Sequence, residues 1–166
     1  MIQKKICLIG AFAVGKTSLV QRFVKSMFAE KYHTNIGVKI DKKIVTVGES
    51  EVTLVLWDLV GQDEFKAVEI GYLRGSAGYL LVADGTRRAT LECAVDLHTR
   101  AQDAIGRVPF RLLVNKADLA PTWEVTDEDL IKIAERGWAV GRTSAKTGDH
   151  VESAFVSLTQ EILQAK

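Results

Sequence analysis

Cysteine and proline are scarce in this chain, two of each in 166 residues. Cys7 and Cys93 lie far apart and make neither a disulfide framework nor a zinc site, a usage that fits a reducing, cytoplasmic compartment. Pro109 and Pro121 build no proline-rich linker, and neither a low-complexity tract nor an internal repeat is present. A charge excess is missing too. Lys+Arg number 22 and Asp+Glu 21, and the net charge of +1 gives no electrostatic case for nucleic-acid binding. The longest uncharged run is the ten residues 6–15. A spanning helix needs roughly 20 apolar residues, so no transmembrane segment is expected. The start, Met1-Ile2-Gln3-Lys4-Lys5, leads into a short apolar run without a small-residue cleavage site, so no secretory signal is expected. The last residues, Leu163-Gln164-Ala165-Lys166, hold no cysteine to prenylate. His33, His98 and His150 are scattered, which argues against a metal site built on histidine. With 47% hydrophobic and 26% charged residues, the chain is expected to fold as one globular domain over 1–166.

What is present is an alternation of short apolar runs and amphipathic stretches. Lys5-Ile6-Cys7-Leu8-Ile9 reads as a buried strand, followed by Leu19, Val20, Phe23, Val24 and Met27 on one helical face. The β-rich runs 38–47 and 52–57 flank Gly48-Glu49-Ser50, a hairpin signal. Tyr79-Leu80-Leu81-Val82-Ala83 is apolar throughout, as expected where both strand faces are covered. Leu91, Val95, His98, Ala101 and Ile105 repeat at helical spacing, and residues 110–114 read as another buried strand. Leu130, Ile131 and Ala134 mark a helix, Trp138-Ala139-Val140 a last strand, and Val151, Phe155, Leu158 and Ile162 a final helix. Such alternation predicts an α/β fold: a mostly parallel sheet with helices on both faces. Ligands of such sheets sit beyond the carboxyl ends of the strands, so the loops there should carry the chemistry.

The first of those loops is Gly10-Ala11-Phe12-Ala13-Val14-Gly15-Lys16-Thr17, a G-x-x-x-x-G-K-[ST] match between a predicted strand and a predicted helix. Its backbone N–H groups suit a phosphate, and the following helix, with Ser18 in its first turn, adds a positive dipole end. Lys16 supplies a point charge for the terminal phosphates, and the Thr17 hydroxyl can ligate Mg²⁺. The run 52–57 ends in Asp58-Leu59-Val60-Gly61-Gln62. A carboxylate there suits a second Mg²⁺ contact, and the Gly61 N–H can approach a terminal phosphate. Asn115-Lys116-Ala117-Asp118 follows the next buried strand. A carboxylate accepts the N1–H and N2 amino group of guanine and rejects adenine, so Asp118 predicts GTP over ATP. The Lys116 stem can cover the base plane, and Asn115 can tie loops together. In Thr143-Ser144-Ala145-Lys146, the Ala145 N–H can donate to guanine O6.

On these motifs the chain resembles the Ras superfamily of small GTP-binding proteins, from Lys4 to about Leu163. Ile36-Gly37-Val38, Trp57-Asp58 and Tyr72-Leu73-Arg74-Gly75 look most like the Rab branch, and the missing terminal cysteine is closer to the Ras-like GTPases of prokaryotes. The resemblance implies a P-loop G domain with a six-stranded sheet, one strand antiparallel, and hydrolysis of GTP to GDP with Mg²⁺. It implies Gln62 and Lys16 as the catalytic residues, Gln62 orienting the attacking water. It places Phe28 edge-on to guanine, and Ser144, Ala145 and Lys146 beside the base. It also implies two segments, 30–38 and 58–72, that sense the γ-phosphate and meet regulator and effector proteins, with Ile40, Trp57 and Tyr72 as an aromatic partner surface.

Three positions depart from the family pattern. Asn35 stands where the family's switch threonine ligates Mg²⁺, and Thr34 comes one residue earlier. Either Asn35 ligates through its amide oxygen, or Thr34 reaches in, or neither does. Phe12 and Ala13 replace glycines of the phosphate loop, and Val60 replaces an alanine beside the metal. These predict slow, partner-regulated turnover, the alternative being a GTP-binding scaffold without significant hydrolysis. Lys42-Lys43 and Arg87-Arg88 read as solvated turns.

Overall fold

Strand β1, Ile2–Gly10, is the spine of the sheet. Its side chains alternate: Ile6 and Leu8 join one core, Cys7 and Ile9 the other. The same division runs through β5, Gly78–Asp84, all of whose residues are buried. Two apolar faces on one strand require a covering layer on each side. In this computed structural model, which describes residues 2–24, 31–33, 38–59 and 70–165, helices supply both. On one face α1, Lys16–Val24, and α4, Val151–Gln164, contribute Leu19, Phe23, Phe155 and Leu158. On the other, α2, Arg88–Ile105, and α3, Asp127–Ala134, contribute Leu91, Ala94, Leu130 and Ile133.

The sheet order is β2-β3-β4-β1-β5-β6-β7, with β2 at Lys31–His33, β3 at Val38–Val47, β4 at Ser50–Leu59, β6 at Phe110–Asn115 and β7 at Val140–Arg142. Strand β3 runs antiparallel to β4, and β4, β1, β5, β6 and β7 are mutually parallel. This is the expected six-stranded arrangement, extended by the three residues of β2 paired antiparallel to β3. The β3–β4 hairpin turns on Gly48 at φ +62°, and Ser50 already pairs with Val47. No helix among the described residues is long and apolar enough to cross a membrane.

Two sequence expectations need correction. The last strand begins at Val140, not Trp138. Trp138 is used sideways instead, its ring edge-on to Phe110 and His98 with centroids 5.2 and 4.5 Å away. Nor is Lys43 part of a solvated turn. Lys43 is 3% exposed, because the inward alternation of β3 takes Asp41, Lys43 and Val45 into the interior. Its ammonium lies 3.9 Å from the Phe23 ring centroid and donates to the Phe23 carbonyl near the end of α1, where helix-end carbonyls favour a cation. Burial pushes its pKa down, against the nearby Glu152 carboxylate. Arg88 pairs with Asp129 of α3 at 2.6 Å, and Arg87 reaches the loop described next.

Candidate functional site

Parallel strands put the carboxyl ends of β1, β4, β5 and β6 on one rim, with Gly10, Asp58, Asp84 and Asn115 side by side. Gly10 is required by proximity, since a Cβ there would stand 2.4 Å from the Val82 carbonyl oxygen. Beyond it the loop carries Ala13 at φ +62° and Gly15 at φ +101°. A Cβ on Gly15 would lie 2.2 Å from Asn115 Nδ2. Every carbonyl from Gly10 to Gly15 is taken. Lys16 Nζ donates to Gly10 and Ala11, both at 3.2 Å. Arg87 Nη2 donates to Phe12 at 2.7 Å, Lys116 Nζ to Ala13 at 3.3 Å and Asn115 Nδ2 to Val14 at 3.0 Å. The Leu19 N–H takes Gly15 at 2.9 Å. A peptide plane points its C=O and N–H in opposite directions. The N–H groups of Ala13, Val14 and Gly15 therefore point away from the side chains that hold the preceding carbonyls, and they bond no described residue. This is an anion-binding concavity at the start of α1.

The concavity opens into a cleft of about 350 Å³ floored by Lys16, Thr17 and Asp58, with Phe12, Ala13, Ser18 and Lys116 along its sides. Lys16 is 6% exposed and Asp58 1%. Burial pushes the Lys16 pKa down, opposed by the Asp58 charge. Burial pushes the Asp58 pKa up, opposed by the Thr17 hydrogen bond and by Lys16 and Lys39. The Thr17 hydroxyl donates to Asp58 Oδ2, while Asp58 Oδ1 is buried with no hydrogen-bond partner among the described residues. An orphaned carboxylate oxygen beside a hydroxyl is a donor set that suits a hard divalent cation such as Mg²⁺. The Phe12 ring is half-exposed at the mouth of the cleft.

Next to Lys116 in the chain, Asn115 Oδ1 accepts from Thr143 Oγ1 at 3.1 Å and from the Ala145 N–H at 3.3 Å. That N–H, expected to face a ligand, is turned on Asn115 by a long bond. Asp118 is exposed, one oxygen held by Ser144 Oγ at 2.8 Å. Lys146 is exposed on the same loop. Lys116 adopts a left-handed conformation, φ +74°, and its ammonium sits 2.8 Å from Asp84.

Sequence reasoning missed three supports. Asp84 ends β5, much as Asp58 stands next to the last residue of β4, and the same strand-end logic would have found it. Burial raises its pKa, but hydrogen bonds from Lys116, Thr86 and Arg87 outweigh that and hold it below the usual carboxylate value. Arg22 of α1 donates to the Ala145 and Lys146 carbonyls at 3.1 and 2.5 Å. Trp123 donates from Nε1 to the Lys116 carbonyl at 2.8 Å and fills the space over Gly85. Away from the cleft, the Trp57 and Tyr72 rings lie 6.3 Å apart. Lys5 Nζ sits 3.7 Å over Trp57 and donates to the Tyr72 and Arg74 carbonyls at 2.6 and 2.7 Å. Phe28, Thr34, Asn35, Val60, Gly61 and Gln62 lie outside the described residues.

The comparisons agree with this geometry. A sequence model described as the Ras family matches residues 5–164. The chain is 36% identical over 161 residues to the Ras-related protein Rab-13 of Canis lupus familiaris, spanning 96% of this chain and 79% of that protein. It is likewise 36% identical over 161 residues to the Ras-related protein Rab-4B of Rattus norvegicus and of Homo sapiens, spanning 96% of this chain and 76% of each. The match takes in every loop around the cleft, and the chain therefore belongs to the Ras family, as a Rab-like small GTPase that binds and hydrolyses GTP.

Proposed function

We propose that the chain works in the cytoplasm as one nucleotide-binding domain, a guanine-nucleotide switch with slow, partner-regulated turnover. The observation that carries this is that Lys116 lines the same cleft as Lys16, Thr17 and Asp58, with Asp118 two residues further along its loop and held by Ser144. The inward N–H groups of Ala13, Val14 and Gly15 bind phosphate, and Lys16 moves its ammonium from the Gly10 and Ala11 carbonyls onto phosphate oxygens. Thr17 and Asp58 would hold Mg²⁺, which would supply charge neutralisation on the terminal phosphates. Asp118, steadied by Ser144, accepts from the guanine edge, while the Ala145 N–H leaves its long bond to Asn115 for guanine O6. Lys116 and Phe28 border the base. Gln62 orients the attacking water, with Gly61 beside the terminal phosphate. Thr34 or Asn35 would contribute to the metal shell weakly or not at all, and the segments 30–38 and 58–72 report the bound nucleotide to regulators and effectors.

Phe12 at the cleft mouth favours slow hydrolysis. Its ring stands where an arginine supplied by a partner must pass, and such an arginine is worth up to ~10⁵-fold in relatives. The same ring supports a second reading, a GTP-binding scaffold with no significant turnover, against which Gln62 argues.

The test is nucleotide competition on the full chain. Wild type should prefer GTP and GDP over ATP and XTP. Asp118→Asn should lose GTP affinity by about 3 kcal/mol, two bonds to a charged group, and gain XTP, whose C2 carbonyl accepts from an amide. Equal GTP affinity in the variant rejects the assignment. Single-turnover hydrolysis with Mg²⁺ then separates switch from scaffold.

A further inference from the structure

The carbonyl of Phe12 has one donor among the described residues, Arg87 Nη2 at 2.7 Å. Arg87 is itself held from several sides. Its Nε donates to Asp84 Oδ2 at 3.2 Å, and its backbone N–H donates to the Asp84 carbonyl at 2.9 Å. The Thr90 hydroxyl donates to the Arg87 carbonyl at 2.7 Å and accepts from the Asp84 N–H at 2.8 Å. The guanidinium is thus planted on a buried carboxylate and aimed at one peptide group of the phosphate loop.

That peptide group is the vulnerable one. Its far end is the N–H of Ala13, and Ala13 sits at φ +62°, a conformation an L-residue adopts only at a cost. Rotating the 12–13 peptide by half a turn would carry Ala13 to ordinary negative φ. It would also turn the Phe12 carbonyl toward the cleft, in place of the Ala13 N–H. A bound phosphate would then meet an oxygen where it needs a donor. The Arg87 bond opposes that flip.

We propose that Arg87, seated on Asp84, is a positioning residue that locks the Phe12–Ala13 peptide with its N–H facing the second phosphate of a nucleoside diphosphate. The inference rests on the nucleotide-binding reading above and adds to it a residue that touches no ligand. Lys116 leans on the same Asp84 and holds the next carbonyl, Ala13, so one carboxylate orders two consecutive peptides of the loop. A lysine at 87 would keep a charge on Asp84 but lacks the planar fork that serves both acceptors.

The experiment measures GDP and GMP affinities of the full chain by competition. The variants are Arg87→Leu, Arg87→Lys, Ala13→Gly and the Arg87→Leu/Ala13→Gly double. GMP has no second phosphate and serves as the internal control. Arg87→Leu should weaken GDP about tenfold, the value of one charge-assisted hydrogen bond, and leave GMP within about twofold. Arg87→Lys should keep part of the discrimination. In the Ala13→Gly background the strain that drives the flip is gone, so the Arg87→Leu effect on GDP should shrink, a coupling that general destabilisation does not produce. Equal loss of GDP and GMP, or no coupling between the two sites, overturns the lock. A wild-type chain that binds guanine nucleotides but holds GDP no better than GMP also overturns it, because no second-phosphate contact then exists. Failure of the wild type to bind guanine nucleotides at all refutes the function itself, and the lock with it.

Discussion

Replacing Asn115 by alanine removes one buried amide that joins three parts of the cleft. Its Nδ2 holds the Val14 carbonyl at 3.0 Å, and its Oδ1 accepts from Thr143 Oγ1 at 3.1 Å and from the Ala145 N–H at 3.3 Å. Asn115 is 2% exposed and Thr143 is fully buried, so water does not readily replace these bonds. Two well-formed neutral bonds are worth about 1 kcal/mol each, and the long third one less. Together they give about 2–3 kcal/mol. For a chain of this size that lowers Tm by about 5–10 °C. The assay is thermal unfolding of the nucleotide-free chain, repeated with saturating GDP. Nucleotide should stabilise the variant less than wild type, because the released Val14 carbonyl no longer keeps the Gly15 N–H facing inward. Asn115→Asp sharpens the test. It keeps both acceptor bonds but sets an oxygen against the Val14 carbonyl, so it should be at least as damaging as alanine at pH 7 and recover as the carboxyl is protonated. A loss under about 1 kcal/mol for alanine, or an aspartate variant as stable as wild type at neutral pH, would refute the reasoning.

Three further outcomes are expected. Phe12→Gly should raise the intrinsic or partner-stimulated rate of GTP hydrolysis severalfold, and adding Gln62→Leu should abolish the gain; an unchanged rate in single-turnover assays means the ring does not obstruct. Burial lowers the His98 pKa below its ordinary 6.5, where the ring lies tilted against Phe110 at 4.2 Å and bonds the Tyr79 hydroxyl at 2.8 Å. The folded chain therefore binds fewer protons than the unfolded one, and stability held in full above about pH 6.5 should fall as pH drops through the folded-state pKa. His98→Phe should flatten that slope in denaturant titrations, and a parallel slope in both proteins would reject the assignment. Ala13→Gly should stabilise the nucleotide-free chain by roughly 1 kcal/mol by relieving a left-handed alanine, which equilibrium unfolding can check.

The layered fold was legible because its signals are local. The continuous apolar run at 79–83 and the mostly apolar run at 110–114, interrupted by Arg111, mark buried strands, and Gly-x-x-x-x-Gly-Lys-Thr marks a strand-to-helix phosphate loop. Where the reading failed, tertiary contact overrode pattern. Trp138 looks like a strand residue by composition, yet its ring is spent on Phe110 and His98. Lys43 looks like surface by charge, yet β-alternation drives it inward, where a ring and a helix-end carbonyl receive it. The site divided in the same way. Lys16, Thr17, Asp58, Asn115 and Asp118 announce themselves by motif, whereas Arg22 and Arg87 are single residues whose partners are far along the chain, and no spacing rule reaches them.

The anchored carbonyls of the phosphate loop have a consequence for the order in which this protein assembles. The donors to Phe12, Ala13 and Val14 lie 75, 103 and 101 residues downstream. Strand β1 and helix α1 can form early from neighbouring sequence, but the loop between them cannot take its final shape until β5 and β6 have docked. Contacts of such long sequence separation are made late and slowly, after loop closure has been met. A nascent or partly folded chain would thus carry the whole Gly10-to-Thr17 motif and still not capture phosphate. Nucleotide capture becomes the signal that the sheet is complete, and a refolding trace followed by GDP binding should lag behind one followed by helix content.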